Sequence, residues 1–534
     1  MKVLTSADMA AADRASVDEF GVSFGELMER AGTAVASFVL LHSADAARVL
    51  VLCGAGNNGG DGFVAARALT RAGRFVSVVL LTDEARLQGA AADAFALLDR
   101  STIQIVTVQH DADLPTFVQL LTGVDLVVDA VVGTGFKPPL RGIAVAVRDV
   151  LQHASQPVVS VDVPSGWDAD ATVETVPGAF RSDAVLTFTA PKLAHMFGHM
   201  TANVFGPVVV APIGSPADAV RTATGLTWTG VSKHIFEQSR AIDSNKGMYG
   251  HVMVMGGAAG KAGAPAMASL AALRAGAGLV TAAVPHSILN TVALITPELM
   301  TIALQEAEGG VSLANASPQQ LEKLLKRITV LAIGPGVGTD GDAAAFVRKV
   351  VADTVLPIVL DADGLNAFHG QTDLLRGRDR TMVLTPHPGE MATLLGITTK
   401  QVQADRLNLA RSFAVQHQVT LVLKGWRTLI AHPDGTVAVN TTGNPSMAKG
   451  GSGDILTGIV AACLAQSPGN VADAVNAAVY LHGLAADFAA HCMDEHTVLA
   501  TDTVAHLSDA FRYRTLDGNG AEWICGLRMH GARR

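Results

Sequence analysis

Short runs of β-branched and leucine-rich residues alternate with helix-length segments along most of this chain, and that alternation narrows the fold sharply. In the first half the runs are 48–53, 75–81, 125–129, 157–162 and 184–189. In the second half they are 251–257, 279–284, 328–333, 357–361, 381–385 and 420–424. Apolar strands joined by helices are typical of parallel sheets that are buried on both faces. The pattern predicts an α/β protein with two three-layer α/β/α domains.

The length of 534 residues also requires more than one core. Residues 214–230 are small, Thr-rich and interrupted by glycine, so we place the domain boundary there. The predicted domains are 1–213 and 228–510. Within the second, Pro433-Asp434-Gly435 at the centre of 428–440 predicts a β-hairpin. From about Phe511 the chain is Arg-rich and loses its pattern, so 511–534 is expected to be a mobile tail.

Composition excludes several functional classes. A hydrophobic content of 49%, a charged content of 16% and 53 glycines fit close-packed α/β domains. The net charge of −9 argues against nucleic acid as the main partner. No apolar run reaches the roughly 18 residues of a membrane-spanning helix, and the acidic N-terminus lacks the regions of a signal peptide. The four cysteines form no CxxC pair. We expect a cytoplasmic protein that binds neither membranes nor nucleic acid.

The segment Lys449-Gly450-Gly451-Ser452-Gly453-Asp454 precedes the apolar, helix-like stretch 455–464. Glycines allow backbone N–H groups to converge on an anion, and the helix N-terminus adds partial positive charge. A carboxylate beside such an anion site can accept a proton from an attacking hydroxyl during phosphoryl transfer. The alternative is a glycine turn with Asp454 near the helix N-cap.

A second glycine-rich loop, GAGNNGGDG at 54–62, follows a predicted strand and precedes a predicted helix from Phe63 to Ala72. Gly54, Gly56 and Gly59 satisfy GxGxxG, and Asp83 stands at the end of the next strand. A dinucleotide-dependent oxidoreductase is therefore one hypothesis. The Asn57-Asn58 pair makes the loop more polar than a plain dinucleotide-binding turn requires.

Polar residues also follow three further predicted strands of the first half. Because strand C-termini converge on one crevice, Asn58, Asp129, Asp162 and Ser165 could face a single ligand, with Lys192 on a neighbouring loop. Oxygens from Asn58, Asp129 and Ser165 would suit a hard cation. Taken singly, Asp162 could instead cap a turn before a proline, and Lys192 could be a solvated surface lysine.

Five ordered motifs in residues 1–213 resemble the NAD(P)H-hydrate epimerase family: the opening VLTSADMAAADRASVDEFGVSFGELMERAG, then GNNGGDG, GTGFKPPLRG, VDVPSGWDAD and PKLAH. The resemblance implies a Rossmann-like fold, a potassium ion at Asn58, Asp129 and Ser165, and Asp162 as the acid or base that inverts C6 of a hydrated nicotinamide. It also implies substrate contacts from Asp162 and two loops, which comprise Asn57, Asn58, Gly59, Gly60, Asp61, Gly133, Thr134, Gly135, Phe136, Lys137, Pro138 and Pro139. Ala194 departs from the pattern, where a glycine is expected.

The second half resembles the ribokinase-like superfamily, and most closely its ADP/ATP-dependent NAD(P)H-hydrate dehydratase branch, over about residues 228–510. The motifs are SNKGMYG, GKAGAPAMASLAALRAGAGLV, GPGVG, DADGLN, TPHPGE, LKGWRT and the anion loop. The resemblance implies hydrate-binding positions at Ala264, Gly336, His387 and Asp454. It implies adenine-nucleotide positions at Lys424, Gly425, Trp426, Arg427, Thr428 and Gly453. Lys261 beside Ala264 departs from the neutral or aromatic residue expected there.

The combined resemblance implies a bifunctional enzyme that epimerises NAD(P)HX and dehydrates it with ADP, or ATP, and magnesium. Asp454 is the expected base, His387 a ligand contact or a loop hydrogen-bonder, and Glu390 an orienter of magnesium-bound water or a helix cap. A small-alcohol kinase of the vitamin-precursor type, with an N-terminal dinucleotide-binding module, is the alternative enzyme. A non-enzymatic first half is a further alternative, against which the joint presence of Asn58, Asp129 and Asp162 weighs. We also expect a homo-oligomer.

Overall fold

The computed structural model describes residues 1–339 and 341–528, which form parallel sheets with helices between the strands. The earlier strands are β1 (Arg48–Cys53), β2 (Phe75–Leu80), β3 (Gln104–Thr107), β4 (Leu126–Ala130), β5 (Val158–Val161), β6 (Ala184–Phe188), β7 (Val208–Ala211), β8 (Leu226–Trp228), β9 (His251–Met255) and β10 (Leu279–Pro285). The later strands are β11 (Met300–Leu304), β12 (Glu306–Ala307), β13 (Gly310–Val311), β14 (Val330–Ile333), β15 (Ile358–Leu360), β16 (Met382–Leu384), β17 (Thr420–Leu423), β18 (Leu429–Ala431), β19 (Val437–Val439) and β20 (Glu522–Cys525).

Helices connect most of these strands. The first group is α1 (Ser6–Asp18), α2 (Phe24–His42), α3 (Asn57–Arg71), α4 (Gly89–Ala96), α5 (Leu114–Thr122), α6 (Ile143–Gln152), α7 (Leu193–Phe197), α8 (Gly263–Arg274), α9 (Leu289–Ala293) and α10 (Pro318–Leu324). The second group is α11 (Gly341–Asp353), α12 (Asp363–Asn366), α13 (Pro388–Leu395), α14 (Thr399–Ala404), α15 (Arg406–His417), α16 (Ser452–Gln466), α17 (Val471–Cys492), α18 (Ala500–Ala505) and α19 (Leu507–Arg512). In the described part of the chain, no helix combines the length and apolarity needed to cross a membrane.

The chain folds as two compact units. The first contains residues 1–224 together with the segment from Arg514 onward, and the second contains residues 225–513. The division falls inside the Thr-rich stretch 214–230. Residues 214–224 belong to the first unit because they return to its N-terminus, where Thr224 Oγ1 donates to the Val3 carbonyl at 3.0 Å.

The sheet of the first unit has the strand order β20-β7-β6-β5-β4-β1-β2-β3. All neighbours are parallel except β20, which runs antiparallel to β7. The chain order reverses between β4 and β1. In open parallel sheets, ligands bind outside the carboxyl ends of the strands at such a switch point. This topology is Rossmann-like, and it locates the first candidate crevice.

Two separate hydrophobic cores cover the faces of this first sheet. Val49 and Val51 of β1 pack in one core with Phe63 of α3. Leu50 and Leu52 of the same strand pack in the other core with helices α5 and α6. Successive side chains of a strand point to opposite faces, so helices cover both sides of the sheet. The three-layer arrangement predicted for this half is confirmed.

The prediction of a mobile tail from residue 511 is wrong for the residues described up to 528. Residues up to Arg512 complete α19, and β20 then pairs with the edge strand β7. Trp523 is 4% exposed, with its ring centroid 4.9 Å from that of His42. Burial of a large aromatic ring and pairing of a sheet edge outweigh the polar composition of this segment. Residues 529–534 lie outside the described residues.

The sheet of the second unit has the order β11-β10-β9-β14-β15-β16-β17-β18-β19-β8. Strands from β11 to β17 are mutually parallel, and β17, β18 and β19 are antiparallel, which confirms the predicted hairpin. Helices α8 and α16 pack closely beside this sheet, since a Cβ on Gly458 would lie 2.0 Å from the Ala268 carbonyl oxygen. The carboxyl ends of β15, β16 and β17 lie side by side and locate the second candidate site.

Candidate active sites

The first crevice begins where the loop after β1 contacts the loop after β4. Gly54 N donates to the Ala130 carbonyl at 3.2 Å, and a Cβ on Gly54 would lie 2.0 Å from the Val131 carbonyl oxygen. Helix α3 begins at Asn57 rather than at the predicted Phe63. Residues 57–61 therefore form a helix N-terminus instead of a loop. Such an N-terminus favours bound anions.

Asp162 lies directly after β5 with a φ of 68°, which residues other than glycine rarely adopt. Its Oδ1 accepts hydrogen bonds from Lys192 Nζ and Thr187 Oγ1, both at 2.9 Å. Its Oδ2 accepts from the Thr134 backbone N at 2.9 Å and from the Thr134 hydroxyl. Asp162 thus ties three loops together. Lys192 is 1% exposed, so the surface-lysine alternative is wrong.

The carboxyl groups around Asp162 differ in proton affinity. Burial raises the pKa of Asp162, but the Lys192 ammonium and the Thr134 hydrogen bonds outweigh burial and hold this pKa well below its usual range. Burial and the charges of Asp162 and Asp13 raise the pKa of Asp61 well above its usual range. Burial also raises the pKa of Asp13 to about 6. The crevice therefore places a permanent carboxylate, Asp162, near Asp61, whose raised pKa favours its neutral form, an arrangement that separates acid from base.

His195 fixes the loop that carries Lys192. Its Nδ1 accepts from Lys192 N at 2.9 Å, and its Nε2 lies 2.7 Å from the Asp162 carbonyl oxygen. Burial lowers the pKa of His195 to about 4, so the imidazole is neutral and Nε2 is the donor. Ala194 is fully buried in α7, and its helical backbone does not require the glycine expected there.

Asp129 and Ser165 are in direct contact. The Asp129 carboxylate is fully buried and accepts from Ser165 Oγ at 2.5 Å and Ser165 N at 2.8 Å. Burial raises the pKa of Asp129. Asn58 Nδ2 is buried without a hydrogen-bond partner among the described residues. A buried carboxylate and a neighbouring serine hydroxyl supply oxygen atoms of the kind that a hard cation prefers.

The loop 133–139 lies beside both Asn58 and Asp162. A Cβ on Gly133 would lie 2.9 Å from Asn58 Oδ1 and 3.1 Å from Asp162 Oδ2, so glycine is needed there. Within this loop, the Thr134 backbone N donates to Asp162. The exposed Lys137 instead forms ion pairs with Asp168 at 2.8 Å and with Asp170 at 2.9 Å. Asp83, which the dinucleotide-binding hypothesis noted after the next strand, caps a short turn by accepting from Ala85 N at 3.0 Å. Substrate contacts from this loop stay a prediction.

The second unit contains a cavity of about 720 Å³ at the carboxyl ends of β15, β16 and β17. This volume is in the range of nucleotide and cofactor sites. The cavity brings together most of the residues predicted for the second unit. They are His387, Lys424, Gly425, Trp426, Arg427, Thr428, Gly453 and Asp454. Ala264 and Gly336 are not among the residues that line this cavity.

A buried carboxylate, Asp361, organises the floor of the cavity. Its Oδ1 accepts from Thr385 Oγ1 at 2.7 Å and from Lys424 Nζ at 3.0 Å, and its Oδ2 accepts from Thr457 Oγ1 at 2.7 Å. These contacts join the ends of three strands to α16. Lys424 Nζ also lies 3.7 Å from Glu390 Oε2. The sequence motif DADGLN contained Asp361, but its role as the partner of Lys424 was not predicted.

Asp454 lies in the first turn of α16, one residue after Gly453. The helix begins after Gly451, whose φ of 96° favours glycine. Burial raises the pKa of Asp454 to about 6, and the charges of Asp361, Asp363 and Glu390 add to this effect while Lys424 opposes it. A carboxyl that titrates near neutral pH beside a helix N-terminus is suited to general-base catalysis at a phosphate site.

His387 and Glu390 form a capping box at the start of α13. His387 Nδ1 accepts from Gly389 N at 3.0 Å and Glu390 N at 3.2 Å, and Glu390 Oε2 accepts from His387 N at 2.8 Å. The loop hydrogen-bonder alternative for His387 and the helix-cap alternative for Glu390 are confirmed, whereas their ligand and magnesium roles stay predictions. Each residue caps the helix and each also lines the cavity.

Lys261, Ala264 and Gly336 lie together. A Cβ on Gly336 would lie 3.1 Å from Lys261 Cβ and 3.2 Å from Ala264 Cβ, and the φ of 65° also favours glycine. Lys261 Nζ forms an ion pair with Asp363 Oδ2 at 3.0 Å. The lysine that departs from the expected pattern therefore has a charged partner. The charge of Asp363 contributes to the raised pKa of Asp454, so this cluster lies near Asp454.

Helix α17 forms one wall of the cavity, and sequence reasoning missed it entirely. His482 lines the cavity, and its Nε2 is buried without a hydrogen-bond partner among the described residues. Burial and then the charge of Lys424 lower the pKa of His482 to about 4. Opposite this wall, Arg427 Nη1 donates to the Thr441 carbonyl at 2.9 Å. No glycine run or strand end marks α17, so only its position in the fold reveals it.

The fold and the two sites define a fused α/β enzyme, with an acidic crevice at a topological switch point in one unit and a glycine-rich anion site over a cavity in the other. Comparison with family models gives two matches. Residues 25–194 match the YjeF-related protein N-terminus, and residues 252–510 match NAD(P)H-hydrate dehydratase.

Relatives match nearly the whole chain. The bifunctional NAD(P)H-hydrate repair enzyme Nnr of Moorella thermoacetica is 39% identical over 521 residues, which cover 96% of this chain and 97% of the relative. The enzyme of the same name from Escherichia coli strain K12 is 33% identical, with 96% and 95% covered. The chain belongs to the family of bifunctional NAD(P)H-hydrate repair enzymes, as the sequence motifs predicted.

Solved structures match the second unit. The ADP/ATP-dependent NAD(P)H-hydrate dehydratase of Bacillus subtilis, co-crystallised with ATP and Mg²⁺, is 30% identical and covers 53% of this chain and 96% of its own, with a TM-score of 0.46.

Proposed function

We propose that the first unit interconverts the R and S epimers of NAD(P)HX, and that the second dehydrates the S epimer to NAD(P)H at the expense of ADP or ATP. The observation that supports this most directly is the pairing of Asp454, at the glycine-rich start of α16, with the Lys424 cavity. This pairing occurs in a chain whose relatives over nearly the whole length are named bifunctional NAD(P)H-hydrate repair enzymes.

Epimerisation needs the C6–O bond of the hydrated ring to break and re-form on the other face. A neutral Asp61 can donate its proton to the departing hydroxyl, which leaves as water while the ring nitrogen lone pair forms a C6=N double bond. The Asp162 carboxylate stabilises the positive charge on that nitrogen instead of serving as the acid or base that the resemblance implies, because its lowered pKa keeps it ionised. Water then adds to the opposite face and loses a proton to solvent, and Asp61 is reprotonated from solvent, which returns the site to its starting state.

Dehydration requires a better leaving group than hydroxide. Asp454 takes the proton of the C6 hydroxyl, whose oxygen attacks the terminal phosphorus of the nucleotide, and AMP or ADP departs. The N–H groups of 452–454 and Lys424 stabilise the transferred phosphoryl group. The phosphate ester then leaves from C6 as the ring nitrogen lone pair assists and C5 loses a proton, giving NAD(P)H and phosphate.

Two cations complete the proposal. Asn58, Asp129 and Ser165 would hold potassium, whose charge would neutralise the buried Asp129 carboxylate and fix the loops after β4 and β5. Glu390, which lines the cavity, would hold magnesium through its waters, since Mg²⁺ uses few carboxylates besides phosphates. Magnesium would supply positive charge to the nucleotide phosphates.

The test mixes purified protein with NADHX, ADP or ATP, and magnesium, and follows the return of NADH absorbance. We expect one phosphate released for each NADH formed. A phosphorylated product that persists would instead indicate a small-alcohol kinase. Comparison of initial rates with ADP and with ATP gives the nucleotide preference, which we expect to favour ADP.

A further inference from the structure

The loop from Asn440 to Gly451 forms much of the second cavity wall, yet only Pro445–Met447 within it is helical. A wall made of irregular backbone must be held by other elements if it is to bind a ligand tightly. Residues 442–444 of this loop bond one helix, α17, whereas other residues of the loop bond Trp228, Thr229, Arg427, His496 and Val498. Thr442 Oγ1 donates to the Tyr480 carbonyl at 2.9 Å.

The helix and the loop approach each other very closely. A Cβ on Gly483 would lie 2.3 Å from Thr442 Oγ1 and 2.7 Å from the Thr442 carbonyl carbon. Only glycine allows this approach. The contact places the next turn of α17, which carries Asp487, directly against the following residues of the loop.

Asp487 binds two consecutive residues of the loop. Its Oδ2 accepts from Gly443 N at 3.0 Å, and its Oδ1 accepts from Asn444 Nδ2 at 2.9 Å. Asn444 Oδ1 in turn accepts from Ser446 N at 3.0 Å. Both Asp487 and Asn444 are 9% exposed. Hydrogen bonds to a charged acceptor are about twice as strong as neutral ones, and burial strengthens them further.

We propose that Asp487 is a positioning residue for the nucleotide, because its carboxylate holds Gly443, Asn444 and, through Asn444, Ser446 in the conformation that forms the cavity wall. The inference rests on the proposed function only in the identity of the ligand. It predicts that loss of this carboxylate weakens nucleotide binding without disabling the base Asp454.

Asp487→Asn tests the proposal, since the amide can accept from Gly443 N only by turning its NH₂ toward the Asn444 NH₂. We expect the KM for ADP and the dissociation constant for magnesium-ADP, measured by calorimetry, to rise at least about tenfold. The KM for NADHX and kcat should change by less than about threefold. Asp473→Asn is the matched control, because Asp473 lies on the same helix but bonds Ser232 and Asn470.

The exchange Asp487→Asn with Asn444→Asp restores complementary groups. In this double variant the amide introduced on α17 can accept from Gly443 N and donate to the carboxylate introduced on the loop, which still accepts from Ser446 N. We expect the double variant to bind ADP within about threefold of wild type, whereas Asn444→Asp alone, with two carboxylates face to face, should bind as poorly as Asp487→Asn.

A double variant no better than either single variant would overturn the proposal, as would unchanged ADP affinity in Asp487→Asn. If Asp487→Asn fails to fold, the comparison of ADP affinity between Asn444→Asp and the double variant still tests the proposal. Calorimetry measures magnesium-ADP binding directly, so this test does not depend on whether the protein forms NADH. Wild type that binds magnesium-ADP but forms no NADH would refute the dehydratase activity and leave the role of Asp487 testable.

Discussion

Two aspartates of this chain have opposite electrostatic environments. Asp162 accepts four hydrogen bonds, one of them from a buried lysine, so its carboxylate stays charged. Asp454 is largely buried and lies near other carboxylates, and both effects raise its pKa to about 6. A fixed charge can stabilise a cation, whereas a group that titrates near neutral pH can move a proton. The environment, not the residue type, separates their roles.

Asp454→Asn should abolish ADP-driven recovery of NADH, because it removes the proton acceptor. Loss of a general base commonly costs about 10²–10⁴ in rate. In wild type, kcat for dehydration should rise as pH increases through about 6 and then level off, because protonated Asp454 cannot accept a proton. Stopped assays of phosphate release from pH 5 to 8 measure both effects. More than half of wild-type activity in the variant would exclude Asp454 as the base.

Asp61→Asn and Asp162→Asn test the proposed proton donor and the proposed charge-stabilising carboxylate of the first unit, respectively. Both variants should slow epimerisation by about 10²-fold or more. Asp162→Asn leaves Lys192 buried without its carboxylate, so this variant should also lower the melting temperature, whereas Asp61→Asn should not. NMR of epimer exchange and calorimetric melting provide the measurements. Wild-type epimerisation by Asp61→Asn would remove Asp61 from the mechanism.

Individual residues show which parts of the two candidate sites could be predicted from the sequence. Asp162, Asp129 and Lys424 stand at strand ends, and runs of apolar residues predict those ends well, so the sequence located these residues before the structure did. Asp487 and His482 lie in the middle of a 22-residue helix, α17. Their role depends on the helix facing a loop about 40 residues earlier, a long-range contact that local pattern does not encode.

At the scale of elements, the end of β4 and the loop after β5 carry Asp129 and Ser165, which we propose as potassium ligands together with Asn58. Asp129→Asn should make hydrate binding independent of potassium, whereas in wild type replacing potassium with lithium should weaken hydrate binding. Affinity for ADP should not change. Asp125→Asn is the matched control, because Asp125 precedes β4 and accepts from Ala47 N and Arg48 N. Calorimetry that finds equal hydrate binding in both salts for wild type would remove the metal from the first site.

The strand β20 is a second element whose contribution can be measured. Trp523→Ala should destabilise the first unit by about 3–5 kcal/mol, the usual cost of removing a buried aromatic ring. Epimerase activity should therefore be lost at a lower temperature than in wild type, while dehydratase activity keeps its inactivation temperature. Leu516→Ala, at a residue 54% exposed on the same segment, serves as the control. Equal inactivation curves for wild type and Trp523→Ala would show that β20 adds no stability.

The sequence missed β20 because four residues with one tryptophan give little periodic signal beside an Arg-rich segment. The edge strand β8 was missed for the same reason, since it has only three residues. Central strands were predicted closely: the predicted run 48–53 coincides with β1, and 420–424 exceeds β17 by one residue. Strands buried on both faces have a strong apolar pattern, whereas short edge strands depend on their neighbours.

For the whole molecule, the two activities should act in sequence. One base and one anion site can align the hydroxyl of only one C6 epimer. Wild type should convert an epimer mixture completely, whereas Asp162→Ala should show a fast phase for the S epimer and then a slow phase limited by spontaneous epimerisation. Added Asp454→Asn protein, which retains the first site, should restore the fast rate. A complete single-phase reaction by Asp162→Ala would contradict both the role of Asp162 and the stereochemical reason for the fusion.

The first unit uses both ends of the described chain, since β20 joins the sheet that begins with β1. During synthesis on the ribosome, the strands up to β7 emerge long before β20. Residues 225–513 can fold in the meantime, because their sheet needs no later segment. The edge of β7 then stays unpaired until residues 522–525 have been translated. A ribosome that stops early would release a chain with a finished second unit and an open first sheet, which exposes an aggregation-prone edge for quality control to recognise.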